Sequence, residues 1–320
     1  MPTPRIVFMG TGDIAIPSFL TLIGNGLDAL VTQPDKPVGR KQVLTKPQIK
    51  KIAEDNGIPV LQPERARNKD FLNEVRELQP DIIVVMAYGQ ILTQEILDIP
   101  SVAFINLHAS LLPKYRGAAC IQATIDAGDS HTGVTAMHVV KALDAGDIIL
   151  KKETPIGESE TGGELHDRLA ELAPQAMNEA IQLLMLGNAP RVPQDENLVS
   201  YIPKLMREHG EIDWSMPADQ LERRIRAYDP WPGTSTTYQE ASGRNKGRVR
   251  RLKIFPQTKV VAQSGESGEV LKADEELIIA CGENALKIEH LQPDGSRRMS
   301  ADDFLRSSPI SKGDVLGVTC

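Results

Sequence analysis

The chain has few cysteines, no long apolar run and no internal repeat. Its three cysteines, Cys120, Cys281 and Cys320, are odd in number and far apart. That spacing supplies no disulfide framework, metal motif or redox pair, and it fits a reducing, cytoplasmic setting. No apolar run approaches the ~20 residues of a membrane span, so no membrane partner is expected. The opening MPTPRIVFMG enters an apolar run almost at once, so neither a signal nor a transit peptide is expected. His131, His138, His166, His209 and His290 show no metal-ligand spacing, and no metal is expected.

A general excess of basic charge is also missing. The net charge is −7, which argues against a uniformly basic nucleic-acid binder. Its distribution changes that reading. Residues 1–189 hold 17 Lys/Arg against 23 Asp/Glu, whereas residues 190–320 hold 19 against 20. Two stretches carry basic residues and no acid: KPVGRKQVLTKPQIKK (36–51) and RNKGRVRRLK (244–253), with six each. A whole-chain charge does not exclude a basic surface track, although a charge run alone is more often solvated surface.

What is present is an ordinary globular composition, 41% hydrophobic and 25% charged, over 320 residues. That length exceeds what one core usually supports, so two domains are expected. The first half alternates strand and helix signals. IVFM (6–9), LDALVTQ (27–33), DIIVVMAY (81–88) and AFINLHAS (103–110) read as strands, with helices after Gly10 and around 65–78. This order implies a mostly parallel sheet covered by helices. Residues 133–153 read as two strands joined through LDAGD at an antiparallel edge, before a long amphipathic helix at 163–186. The polar, proline-rich 189–204 reads as a linker. A helix near 217–228 follows, with Ser215 as its expected N-cap, and then short strands with Gly, Ser and Asp turns. These suggest a small antiparallel barrel. Trp214 and Trp231 are expected to pack the domain junction.

The run AFINLHASLLPKYRG (103–117) is the most informative. Asn106, His108 and Ser110 alternate with apolar residues, so on a strand all three project to one side. Each such group left unpaired in a core costs about 1–3 kcal/mol, so three together suggest a catalytic cleft. A lone histidine there is more simply a core side chain bonded to backbone. GTGDIA (10–15) fits the dinucleotide pattern after a strand, with Asp28 and Asp35 spaced as possible ribose partners. A nicotinamide oxidoreductase is the rival from pattern alone, but it leaves the polar strand unexplained.

The run NLHASLLPKYRGAA resembles the signature of the folate-dependent formyltransferases. The resemblance extends in order through VFMGTGDIA, VTQPDKPVGR (31–40), DIIVVMAYGQIL (81–92), LDAGDII (143–149) and AYDPWPG (227–233). It implies an α/β fold: a Rossmann-like formyltransferase domain over 1–189, a linker over 190–208, and a small OB-like β-barrel domain binding tRNA over 209–320. It implies transfer of a formyl group from 10-formyltetrahydrofolate to the α-amine of methionyl initiator tRNA, for translation initiation, without NAD(P). Catalysis falls to the positions matching Asn106, His108 and Asp144. Asp147 is a nearby competitor for the last role, and the charge state of His108 is left open. SLLP (Ser110, Leu111, Leu112, Pro113) matches the folate-binding segment, and Met86, Ala87 and Tyr88 are expected to line the pterin pocket through backbone groups. Arg40 and Lys41 are the expected tRNA contacts of the first basic stretch, with Arg248 and Arg250 in the second. Arg116 could serve a phosphate, the folate tail or a structural carboxylate. A monomer is expected. Formylation of a small amine, hydrolysis of formyl-folate, and tRNA binding without catalysis are the alternatives. The barrel argues against the first two, and the Asn/His/Asp set against the last.

Overall fold

The computed structural model describes residues 3–39, 41–240, 247–306 and 310–317. In chain order the first part runs β1 (Ile6–Gly10), α1 (Ile16–Leu22), β2 (Leu27–Val31), a hairpin of β3 (Lys36–Val38) and β4 (Val43–Thr45), α2 (Gln48–Asp55) and β5 (Val60–Leu61). It continues with α3 (Lys69–Glu77), β6 (Ile82–Met86), α4 (Gln94–Leu97), β7 (Ala103–His108), β8 (Arg116–Gly117), α5 (Cys120–Asp126), β9 (His131–His138), β10 (Ile148–Pro155), α6 (Gly162–Met185) and β11 (Tyr201–Ile202).

The chain divides into two compact units. The first comprises Met1–Cys120, His131–Pro155 and His166–Ile202; the second comprises Ile121–Ser130, Ile156–Leu165 and Pro203–Cys320. A seven-stranded sheet forms the first unit, in the order β10-β9-β7-β6-β1-β2-β5. The pairs from β7 through β5 are parallel, and β9 and β10 are added antiparallel. β1 and β6 are buried along their whole length, which is why IVFMG and IIVVM read as unbroken apolar runs rather than alternating ones. Val7, Met9, Val31, Phe71, Val75, Ile83 and Phe104 share one core cluster. β2 and β5 lie on one side of β1, β6 and β7 on the other, so the chain leaves β1 and β6 in opposite directions. Such a reversal opens a crevice over the carboxyl ends of the two strands.

The second part holds α7 (Ala218–Ala227), β12 (Thr234–Gln239), β13 (Val249–Ile254), β14 (Lys259–Val261), β15 (Val270–Ala273), β16 (Leu277–Ala280), β17 (Ala285–Ile288), β18 (His290–Pro293), β19 (Met299–Ser300) and α8 (Ala301–Leu305). Two four-stranded antiparallel sheets, β12-β13-β18-β19 and β14-β17-β16-β15, enclose a core that includes Trp214, Tyr238, Leu252, Ile254, Leu286 and Phe304. The architecture is a mostly parallel α/β unit with a small antiparallel β unit.

Several expectations differ in detail. Asn68 caps α3 by accepting from the Asp70 N–H, so that helix starts at Lys69 rather than near 65. Ser215 does not cap α7; its hydroxyl donates to Asp213 at 2.6 Å, and Pro217 occupies the N-cap. Trp214 lies in the core of the second unit, its indole N–H donating to Thr236 Oγ1 at 3.0 Å, whereas Trp231 is 55% exposed. Residues 190–202, read as linker, belong to the first unit. Val192 bridges Ile148 beside β10, and β11 pairs in parallel with β8.

Candidate active site

β7 delivers Asn106 and His108 on one face because strand side chains alternate. Asp144 comes from the turn between β9 and β10, where its backbone is left-handed at φ 48°. Asn106 Nδ2 donates to Asp144 Oδ1 at 3.4 Å, and the other carboxylate oxygen lies 3.7 Å from His108 Nδ1. The structure thus brings together Asn106, His108 and Asp144. Asp147, the competitor, instead lies 3.8 Å from Arg191.

Main-chain groups complete the cluster. His108 Nε2 is 2.8 Å from the Tyr115 carbonyl; a carbonyl only accepts, so this nitrogen carries a proton. The Gly117 N–H donates to Asp144 Oδ2 at 2.8 Å. Burial of the imidazole opposes its charge, but the Cys120 sulfur, the Asp144 carboxylate and the Tyr115 carbonyl favour it. Together they push the His108 pKa from 6.5 up to about 9. The ring is therefore cationic at neutral pH and can donate from Nδ1 toward a developing negative charge.

Ser110 is fully buried and donates to the Lys114 carbonyl at 2.7 Å, closing a turn around SLLP. Thr135 supports the same segment, donating to the Ser110 carbonyl and accepting from the Leu112 N–H. Leu112 is buried, whereas Leu111 and Pro113 are half-buried. Met86 and the Tyr88 ring are in the core, and burial pushes the Tyr88 phenol up to about 12. Ala87 is exposed, and its carbonyl accepts from the N–H groups of Thr11 and Gly12. The Tyr88 carbonyl accepts from Thr11 Oγ1 at 3.2 Å and from Gln33 Nε2, past the end of β2, at 2.8 Å. The Thr11 and Gly12 bonds tie the glycine turn after β1 to the turn after β6, at the crevice the topology opens. The acids weighed as ribose partners have protein partners: Arg5 lies beside Asp28, and Lys50 bonds Asp35.

The basic stretches are partly neutralised. Lys46 pairs with Glu54 and Lys50 with Asp35. Lys41 is exposed at the tip of the β3–β4 hairpin; Arg40 lies outside the described residues. In the second stretch Arg248 is exposed, but Arg250 shares a face with Leu252 and Ile254 and pairs with Glu240 at 2.7 Å. On the other face, Arg251 donates to Ser235 Oγ and Lys253 is exposed.

Sequence reasoning missed several groups. Arg116 is 1% exposed, and its guanidinium meets Glu196, Gln194 and Tyr201, which resolves its open role in favour of structural partners. The Tyr115 carbonyl and the Gly117 N–H left no signal, because a main-chain group has no sequence signature. Gln194, in a stretch of linker composition, left none because its partners lie 48 to 78 residues away. Val38, Val43 and Leu44 stand exposed on the hairpin, Leu44 by 67%. Among the described residues, no group of three His, Cys, Asp or Glu is arranged to hold a metal.

Residues 4–181 match the formyl transferase family and residues 204–309 match the formyl transferase C-terminal domain. The chain is 53% identical over 311 residues to methionyl-tRNA formyltransferase of Akkermansia muciniphila, covering 96% of this chain and 98% of that protein. It is 43% identical over 319 residues to methionyl-tRNA formyltransferase of Bacillus subtilis, covering 98% of each. Among solved structures it resembles an N-formyltransferase from Helicobacter canadensis in complex with folinic acid and dTDP-3-aminofucose. That match has a TM-score of 0.66 and 19% identity, covering 92% of this chain and 100% of that one. The last likeness speaks to the fold.

Proposed function

Starting from a chain that belongs to the formyl transferase family, we propose that Asn106, His108 and Asp144 carry its chemistry. The protein is a formyltransferase that moves the formyl group of 10-formyltetrahydrofolate to the α-amine of methionyl initiator tRNA, for translation initiation. The observation that carries the catalytic assignment is the convergence on Asp144 of the Asn106 amide at 3.4 Å and the His108 ring at 3.7 Å.

The reaction joins the amine nitrogen to the formyl carbon and breaks the bond from that carbon to the folate nitrogen. As the amine attacks, the formyl oxygen becomes negative. The Asn106 amide and the cationic His108 ring are the donors available to it. One such donor is worth about 3 kcal/mol at comparable sites. The attacking nitrogen must then lose a proton and the folate nitrogen must gain one. Asp144 is placed to take the first through a water, and the imidazolium to supply the second. The distances are longer than tight hydrogen bonds, as is usual before substrate closes a site.

The folate site is assigned to the crevice over β1 and β6. Ser110, Leu111, Leu112 and Pro113 form one wall, and the backbone of Met86, Ala87 and Tyr88 the other. Support comes from the buried turn of SLLP and from the bonds tying Ala87 and Tyr88 to the first glycine turn. For tRNA, Lys41 at the hairpin, its sequence neighbour Arg40 and Arg248 in the second unit are the phosphate contacts we assign. Arg250 is a weaker candidate, because Glu240 already pairs its guanidinium. No described helix is long and apolar enough to cross a membrane. The protein is assigned as a monomer in the cytosol; sedimentation velocity tests the former.

The test is an assay of purified protein with 10-formyltetrahydrofolate and charged initiator tRNA, against glycinamide ribonucleotide and water as acceptors. Formyl-methionyl-tRNA is the expected product without NAD(P). Equal or faster transfer to the small amine overturns the substrate reading.

A further inference from the structure

Gln194 lies in the segment whose composition reads as a linker, yet it reaches the centre of the site. Val192 exchanges two backbone hydrogen bonds with Ile148 at the start of β10, at 2.8 and 3.1 Å. Two residues on, Gln194 Nε2 donates to the Asp144 carbonyl at 2.8 Å and to the Gly146 carbonyl at 2.9 Å. Its Oε1 accepts from Arg116 Nε at 3.0 Å. Arginine only donates, so this bond fixes which end of the amide faces the turn.

The turn needs such a hold. Asp144 has φ 48°, a conformation that side-chain-bearing residues rarely adopt. Gly146 lies against β9 so closely that an added Cβ would fall 1.7 Å from the His138 carbonyl. A turn in this state persists only where its surroundings over-determine it. Gln194 offers two donors and one acceptor on one planar group. Glutamate of the same length has no such donors when ionised, and arginine has no acceptor. Arg116 is itself anchored by Glu196 at 2.8 Å and Tyr201 at 3.0 Å.

We propose that Gln194 is a positioning residue for the Asp144 carboxylate, holding the 144–146 turn by its two main-chain carbonyls while Arg116 holds Gln194. The inference rests on Asp144 being catalytic.

The test uses the full chain with Gln194→Met and Gln194→Glu, alone and in an Asp144→Asn background. Each single Gln194 change is expected to lower kcat about ten- to a hundredfold, the scale of an ångström's misplacement. KM for formyl-folate and for tRNA should stay within about threefold, because a positioning role gives Gln194 no contact with either substrate. The alkaline limb of kcat should move down from about 9, since a displaced Asp144 supports the His108 charge less. In the Asp144→Asn background the Gln194 changes should add little further loss, as expected of groups acting as a unit. If Gln194→Met does not fold, Gln194→Glu carries the test, because it keeps the acceptor for Arg116. Losses that multiply fully in the double variants overturn the positioning role alone. So does a loss confined to thermal stability with an unmoved pH profile. Undiminished kcat in Asp144→Asn removes the catalytic reading of Asp144 and this inference with it.

Discussion

Two turns of the first unit are built in opposite ways. The turn bearing Asp144 is held from several sides. Its carboxylate meets Asn106 and the Gly117 N–H, and its main chain meets Gln194. The β3–β4 hairpin has two strands of three residues each that, among the described residues, pair only with each other, and it exposes Val38, Val43, Leu44 and Lys41. The first arrangement suits chemistry, where donors must already point at a developing charge. The second suits recognition of a large partner, where exposed apolar and cationic groups remain available to be covered. A change at one turn should therefore damage turnover, and a change at the other should damage binding.

The largest expected effect lies on the catalytic side. Asn106→Ala, His108→Ala and Asp144→Ala should each lower kcat by roughly a hundredfold or more, with tRNA affinity little changed. Steady-state kinetics beside filter binding measures both. Near-normal turnover by a folded His108→Ala protein would erase the contrast between the turns.

Gly117→Val should come next. Gly117 has φ 105°, and an added Cβ would lie 2.3 Å from the Ile202 carbonyl. The substitution should cost about 1–3 kcal/mol of stability in urea unfolding. It should also lower kcat, because the Gly117 N–H holds Asp144. A variant with unchanged stability and turnover would mean that the β8–β11 contact is loose.

The charge on His108 supplies a third measurement. Its folded pKa of about 9 lies above the ordinary 6.5, so the folded state binds this proton more tightly. The resulting stability is fully present below about pH 6.5 and is lost as pH rises through about 9. A ring titration by NMR should place the midpoint near 9, and a midpoint at or below 6.5 would contradict the electrostatic picture of the cleft. Cys120→Ala should lower that midpoint, since the sulfur supports the charge.

The smallest effects on the enzyme itself should come from the hairpin. Arg40→Glu with Lys41→Glu should weaken tRNA binding and reduce its salt dependence, leaving KM for formyl-folate unchanged. Leu44→Ser should shift stability by no more than about 0.5 kcal/mol, as at other exposed positions. A stability loss above that would show the hairpin to be packed. Equal salt slopes for wild type and the double variant would remove the phosphate role.

The sequence by itself determined what depends on neighbours along the chain. Unbroken apolar runs announce buried parallel strands, as in IIVVM of β6. Alternation placed Asn106 and His108 on one face before any partner strand was known. Clustered glycines and prolines marked the turns, and the basic runs were visible as composition. Only the tertiary structure decided what those side chains meet. Gln194 bonds Asp144 across 50 residues, Arg116 meets Glu196 across 80, and Ser200 supports Tyr115 across 85. Such contacts join side chains or main-chain groups that have no periodic relation, so residues 190–202 read as linker although they brace the site. The same limit applies to Arg250. Strand alternation put it on one face with Leu252 and Ile254, but only the fold showed that this face is turned into the core and that Glu240 occupies the guanidinium. Periodicity reports a local geometry. Pairing, and with it the charge of His108 and the pose of Asp144, is a property of the closed chain.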